Sequence, residues 1–178
     1  MSMTPLRLIV MGVSGCGKST IAGALSEHLR LDMVDGDDLH LPQSVAKMRA
    51  GIALQDADRW PWLDRISAYL SQDHAQGQAQ GRVVACSALK RVYRDRIREQ
   101  AGDVCFLFLD GDFDLIQNRM QQRVGHYMQA GLLSSQFGTL EKPQADETDV
   151  IHLPINESVH NMVLKALQAL NDHRHPAI

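Results

Sequence analysis

Apolar residues are arranged along this chain in two ways. Mainly apolar runs of strand length occupy residues 6–11, 83–86, 104–109 and 150–153, and another at 31–35 ends in a carboxylate. Continuous rather than alternating hydrophobicity marks strands covered on both faces. Between the runs, apolar positions recur at helical spacing: Ile21, Ala22, Leu25 and Leu29; Trp62, Ile66, Tyr69 and Leu70; Leu115, Ile116 and Met120; Val159, Met162, Val163, Leu167 and Leu170. Residues 42–50 read as a short helix and 91–100 as a strongly charged one. Asp112 is placed to cap the helix that follows it. Residues 51–58 read as a loop, and the Gln-, Ala- and Gly-rich residues 71–81 as a surface loop. Strands alternating with helices predict an α/β fold of three layers, with a parallel sheet between helices. There is no internal repeat, and residues 1–178 are expected to form a single domain.

Composition narrows the class without naming a function. The 178 residues are 44% hydrophobic and 22% charged, as in soluble globular proteins. A formal net charge of −3 supplies no drive toward nucleic acid or an anionic membrane. The start of the chain lacks the pattern of a signal peptide, and no apolar run reaches the length of a membrane span. Cys16, Cys86 and Cys105 have no metal-type spacing, and the last two lie in apolar runs as small core residues. A reducing, cytoplasmic setting is expected.

The first strand run leads into the stretch that changes the picture. Gly12-Val13-Ser14-Gly15-Cys16-Gly17-Lys18-Ser19 fits G-x-x-x-x-G-K-[ST] and opens a helix, with Thr20 next in line. Glycines let backbone N–H groups close around phosphates, and the helix dipole faces the same anion. Lys18 is positioned for the β- and γ-phosphates of ATP, and the Ser19 hydroxyl for Mg²⁺. The thiol of Cys16, close to Lys18 and a helix N-terminus, is expected to have a lowered pKa and to make ATP binding sensitive to oxidation.

In parallel sheets, ligands sit beyond the C-terminal strand ends, which gathers the remaining candidates into one region. Asp35 and Asp37 follow the second strand. Asp35 is assigned to Mg²⁺ or its waters, and Asp37 to the acceptor hydroxyl as the catalytic base. Lys47, Arg49 and above all Arg59 are candidates for an anionic acceptor. Ser87, Lys90 and, one helical turn further, Arg94 are expected to reach the same acceptor. Arg96 and Arg98 read as solvated helix face, and Trp60 and Trp62 as core. Arg119 and Arg123 share a helix face: Arg119 for phosphate contact, Arg123 as the cation for the transferring phosphoryl group. Gly125 reads as a hinge and residues 153–158 as a border of the nucleotide base. His40 and His126 are assigned to line the site.

These residues together resemble the bacterial-type gluconokinases. The resemblance rests on Gly-Val-Ser-Gly-x-Gly-Lys-Ser at residues 12–19, Asp-Gly-Asp-x-Leu-His at 35–40, Lys-Met at 47–48 and Asp-x-Asp-Arg-x-Pro-Trp-Leu at 56–63. Cys-Ser-Ala-Leu-Lys-x-x-Tyr-Arg-Asp at 86–95, Arg123-x-Gly125-His126 and Gln136-Phe137-x-Thr139-Leu140-Glu141-x-Pro143 continue it, in consistent order from about residue 8 to 150. Two departures stand out. Leu41 and Ser44 occupy positions where that family often has proline and asparagine, and Cys16 replaces the more usual serine. The resemblance implies an adenylate-kinase-like P-loop NTPase fold with a five-stranded parallel sheet core and a helical lid at about 123–145. It also implies ATP- and Mg²⁺-dependent phosphorylation of D-gluconate, by a homodimer. Shikimate kinase is the alternative among enzymes, although the Gly-Gly-Gly segment of that family is missing at the third strand. A nucleotide-binding regulatory module without catalysis is the alternative outside them.

Overall fold

The computed structural model describes residues 4–72, 79–122 and 130–175. Strands β1 (Leu6–Met11), β2 (Asp32–Asp35), β3 (Gly81–Ala85), β4 (Cys105–Asp110) and β5 (Val150–Pro154) form one sheet. Their order is β2-β3-β1-β4-β5, and every neighbouring pair is parallel. The helices are α1 (Lys18–Leu29), α2 (Pro42–Arg49), α3 (Asp56–Ser71), α4 (Arg91–Ala101), α5 (Phe113–Gln122), α6 (Ala130–Thr139) and α7 (Val159–Arg174), with a 3₁₀ turn at Gly36–Leu39. This is the three-layer fold of the P-loop kinases.

The central strand shows why residues 8–11 are apolar without alternation. Successive side chains of a strand point to opposite faces. Leu8 and Val10 pack with Ile21 and Leu25 of α1 and Met162 and Ala166 of α7. Ile9 and Met11 pack on the other side with Leu63 and Ile66 of α3 and Ile97 of α4. Burial of each such side chain contributes roughly 1.5–3 kcal/mol.

Helix α3 begins inside the segment read as a loop. Gln55 caps it, exchanging hydrogen bonds with Asp58 in a capping box. Glutamine is an uncommon cap, and Pro61 lies within the helix, where proline removes a hydrogen bond and crowds the preceding turn. Burial of Trp62, Leu63, Ile66 and Leu70 outweighs that cost. Asp112 caps α5 as expected, accepting the Leu115 N–H at 2.8 Å. Of the segment read as a surface loop, residues 73–78 lie outside the described residues, as do residues 123–129 of the expected lid. Within the lid span, α6 packs on α5 through Phe137 against Phe113, ring centroids 5.5 Å apart. Among the described residues no helix is long and apolar enough to cross a membrane.

The register sets the C-terminal ends of β2, β3 and β1 side by side, with Asp35 and Val10 both opposite Ala85. Gly36 allows the chain to turn there, since a Cβ would lie 2.8 Å from the Ala85 carbonyl oxygen.

Candidate active site

The loop between β1 and α1 is held in a shape that only glycine permits at its start. Gly12 has φ +147°, and a Cβ there would come within 2.7 Å of Cys16 Sγ. Its N–H donates to the Ser87 carbonyl at 3.4 Å, tying the loop to the end of β3. No side chain caps α1, whose first turn also carries no acid. Its free N–H groups and positive dipole end therefore face the loop. Lys18 Nζ arches over the loop and donates to the Val13 carbonyl at 3.0 Å.

The two candidate metal residues meet here. Ser19 Oγ donates to Asp35 Oδ2 at 2.7 Å, while Asp35 Oδ1 accepts the Asp37 N–H at 3.0 Å. Asp35 thus uses both oxygens for positioning. The Asp37 carboxylate is exposed and takes no hydrogen bond from the described residues. A hydroxyl and a carboxylate at a phosphate loop are a donor set that suits Mg²⁺, which takes one or two protein oxygens and completes its shell with phosphate and water.

Cys16 departs from expectation. It is 1% exposed, and burial pushes its thiol above the ordinary value; the nearby Lys18 charge pulls the other way without prevailing. The helix N-terminus does not make this a reactive cysteine. Cys86 and Cys105 are buried as expected, and burial pushes both thiols up to about 12.

On the α7 side of the loop lies a cavity of about 430 Å³, lined by Gly15, Gly17, Thr20, Arg119, Glu157 and Ser158 among others. Arg119 donates to the Ile155 carbonyl, which fixes its guanidinium at the cavity wall. Of the residues 153–158 read as a border of the base, Glu157 and Ser158 line this cavity. Arg123 and His126 lie outside the described residues.

The opposite side, below the ends of β2 and β3, collects the acceptor candidates. Lys47 Nζ pairs with Asp58 at 2.6 Å, and Lys90 Nζ with Asp56 at 3.1 Å. Arg59 lies 3.7 Å from Asp56 and donates to the Leu54 carbonyl at 2.8 Å. Tyr93 donates to Asp56 at 2.5 Å. Hydrogen bonds from Tyr93 and then Lys90 hold the Asp56 carboxyl below its usual range, so it stays ionised at neutral pH. Three cations thus face two acids, a balance suited to an anionic ligand. Arg49 is exposed at the end of α2, and Ser87 is half-buried beyond β3.

His40 is 9% exposed and stacks on Trp62, with ring centroids 4.3 Å apart. Trp62 in turn donates to the Gly36 carbonyl at 2.7 Å. Burial pushes His40 below the ordinary imidazole value, only partly offset by Asp37. It is therefore neutral at pH 7, and its buried Nδ1 has no partner among the described residues. Ser44, at the altered family position, is buried within α2.

Arg94 requires a correction. It does not face the acceptor with Lys90 but is enclosed behind the site. Its Nε and Nη2 donate to Glu147 at 2.8 and 2.7 Å, and Nη1 to the Ala88 and Leu89 carbonyls. Lys90 is the extended N-cap of α4, outside the helix, so the four-residue spacing does not put the two on one face. Arg94 instead holds a turn in which Ala88 has φ +43°, a conformation costing on the order of 1–3 kcal/mol. That turn carries Ser87 and Lys90. Arg98, read as solvated, joins the same network through Glu147, Asp149 and Asp95.

With this geometry in place, the comparisons decide among kinases. A family model described as Shikimate kinase matches residues 14–170. The thermosensitive gluconokinase of Escherichia coli K12 is 43% identical over 162 residues, 91% of this chain and 86% of that protein. The gluconokinase of Gluconobacter oxydans is 44% identical over 147 residues, 83% of this chain and 82% of that protein. A solved gluconokinase from Sinorhizobium meliloti 1021 superposes with a TM-score of 0.84 at 40% identity, covering 94% and 92% of the two chains. The chain belongs to the gluconokinase family. It is an ATP-dependent kinase by that membership. Asp56, Asp58 and Tyr93 lay inside motifs that define the gluconokinase resemblance, but sequence reasoning gave them no role. Glu147 lies in an Ala-Asp-Glu segment at 145–147 that also fits the family, but its role could not be read, because its partners are 49 and 53 residues away.

Proposed function

We propose that this protein transfers the γ-phosphoryl group of ATP to the 6-hydroxyl of D-gluconate, giving 6-phospho-D-gluconate and ADP. The observation that carries the reading is over 40% identity to gluconokinases across most of the chain, supported by the cluster of Lys47, Arg59 and Lys90 on Asp56 and Asp58. The loop and Lys18 bind and orient the phosphates. The cavity bordered by Arg119 and Ser158 takes the nucleoside. In the acceptor cleft, Arg59 meets the gluconate carboxylate, with Lys47, Arg49 and Lys90 in support. Ser87 and the neutral ring of His40 offer hydrogen bonds to the hydroxyl chain. Asp37, whose carboxylate takes no hydrogen bond from the described residues, accepts the proton of the attacking hydroxyl. Direct in-line attack needs no covalent enzyme intermediate. Ser19 and Asp35 would hold Mg²⁺; when bound, the ion neutralises charge on the phosphates. Arg123 and His126 belong to this reading through the family resemblance. So does a homodimeric assembly, whereas a cytoplasmic setting, with neither nucleic acid nor membrane as partner, rests on net charge, cysteine usage and the lengths of the apolar runs.

The test is Mg²⁺-dependent ADP release from ATP with D-gluconate, shikimate, D-glycerate and AMP as separate acceptors. Turnover with gluconate alone is expected. Turnover with shikimate instead would favour the alternative to which the family model points, and would move the acceptor without removing the kinase. Arg59→Ala is expected to raise the gluconate KM at least tenfold, about 1.4 kcal/mol of binding, with little change in kcat. An unchanged KM would return Arg59 to a structural role at the start of α3.

A further inference from the structure

One side chain from α6 enters the phosphate loop. Gln136 Oε1 accepts the Ser14 N–H at 2.6 Å, across 122 positions of chain. The helix that carries it is anchored along its length. Leu133 is 1% exposed, and Phe137 packs on Phe113. Just beyond the helix, the Glu141 N–H donates to the Leu89 carbonyl at 2.8 Å, and the Glu141 carboxylate accepts the Arg91 N–H at 2.7 Å. Gln136 is therefore presented to the loop from a fixed support rather than swept in by chance.

The chemistry of a carboxamide settles its orientation. It has one acceptor end and one end with two donors. A backbone N–H can meet only the oxygen, so Nε2 turns away from Ser14. Nε2 makes no hydrogen bond with the described residues, which leaves two neutral donors at the mouth of a phosphate-binding loop. The position along the loop also matters. The nucleoside cavity is lined by Gly15, Gly17 and Thr20 but not by Ser14. Val13, next to Ser14, holds the Lys18 ammonium through its carbonyl. Gly12 is tied to Ser87 on the acceptor side. Ser14 thus stands on the limb that faces the terminal phosphate.

We propose that Gln136 is a phosphoryl-positioning residue: held by its Oε1 on the Ser14 N–H, it donates through Nε2 to an oxygen of the γ-phosphoryl group of ATP. This rests on the reading of ATP as phosphoryl donor given above. A neutral donor at this point adds a directed hydrogen bond and no charge.

The experiment compares calorimetric binding of ADP and of a non-hydrolysable ATP analogue to the wild-type chain, Gln136→Ala and Gln136→Glu, together with kcat. Gln136→Ala is expected to weaken the triphosphate analogue roughly 5- to 20-fold, the loss of one hydrogen bond to a charged group. ADP affinity should stay within about twofold, because ADP lacks the γ-phosphoryl group, and kcat should fall at least tenfold. Gln136→Glu keeps the length of the side chain but replaces the donors with a negative charge, and should lose more triphosphate affinity than the alanine variant. It also decides the matter if the alanine variant does not fold. An equal change for both nucleotides, or no change for either, overturns the proposal in favour of a packing role. Tighter binding of both overturns it as well, since Gln136 would then be a competitor for the Ser14 N–H. Wild-type protein that binds neither nucleotide would bring down the ATP reading and this inference with it. The acceptor takes no part in the measurement, so a different acceptor leaves the test intact.

Discussion

Asp37→Asn is expected to lower kcat by about two to four orders of magnitude, the usual worth of a general base, while ATP affinity changes by no more than a few-fold. The geometry separates the two carboxylates at the end of β2 and just beyond it. Asp35 has one oxygen on the Ser19 hydroxyl and the other on the Asp37 N–H. It is a fixed group, suited to holding a metal or its waters. Asp37 receives no hydrogen bond at its carboxylate from the described residues, so its lone pairs are available to an acceptor hydroxyl. Asparagine preserves the size and the backbone hydrogen bond but cannot take a proton at neutral pH. The measurement is kcat with both substrates saturating, paired with ATP affinity by calorimetry. A kcat within about tenfold of wild type, ~1.4 kcal/mol of barrier, would remove Asp37 from the base role. In that case the carboxylate serves only to orient the hydroxyl.

The second large effect lies behind the site. Arg94 and Glu147 have side chains only 1% exposed and are joined by two hydrogen bonds, with Arg98 donating a third to the carboxylate at 2.8 Å. Burial alone would push the Glu147 carboxyl up; the hydrogen bonds from Arg94 and Arg98 prevail and hold it at about 2, against an ordinary value of 4.5. Glu147→Gln leaves a buried guanidinium without its counter-charge. Breaking such a pair costs about 3–5 kcal/mol, or roughly 6–20 °C in Tm for a chain of this size. Arg94→Met combined with Glu147→Leu should cost less than Glu147→Gln alone, because no buried charge is stranded.

The pH dependence follows from the depressed pKa. Folded Glu147 stays ionised where the unfolded chain binds a proton, so its stabilisation is complete above about pH 4.5 and is lost as pH falls toward 2. The stability gap between wild type and Glu147→Gln should therefore close over that window. A gap that is constant with pH, or smaller than about 1 kcal/mol at pH 7, would show that the ion pair is not what holds the turn at Ala88.

Features built from contiguous residues were readable directly. The phosphate loop, its strand and its helix lie within residues 6–29, and burial of β1 on both faces follows from the continuous apolar stretch at residues 8–11. The juxtaposition of Ser19 and Asp35 followed from the rule that ligands gather at strand ends. Residues 123–129 were readable as motif only. Failures came where a local rule met a long-range fact. Helical spacing from Lys90 to Arg94 misled because Lys90 is a cap in extended conformation, and Arg94 found its partner 53 residues away. The helix N-terminus argument for Cys16 was overridden by packing that leaves the thiol 1% exposed. Residues 56–58 read as loop, with Asp58 as an alternative helix cap, whereas α3 starts at Asp56 behind Gln55, a residue that seldom caps a helix.

By itself, the sequence determined the five strands, most of the helices, the glycine loop between β1 and α1, and the carboxylates at and just past the end of β2. Each of these depends on backbone geometry and burial pattern over a few neighbouring residues. Only the tertiary structure decided which charge meets which: Lys90 with Asp56, Arg94 with Glu147, and Gln136 with the Ser14 N–H. A charged or polar side chain takes its partner from whatever the folded sheet and helices bring within about 3 Å, and spacing along the chain carries no record of that meeting.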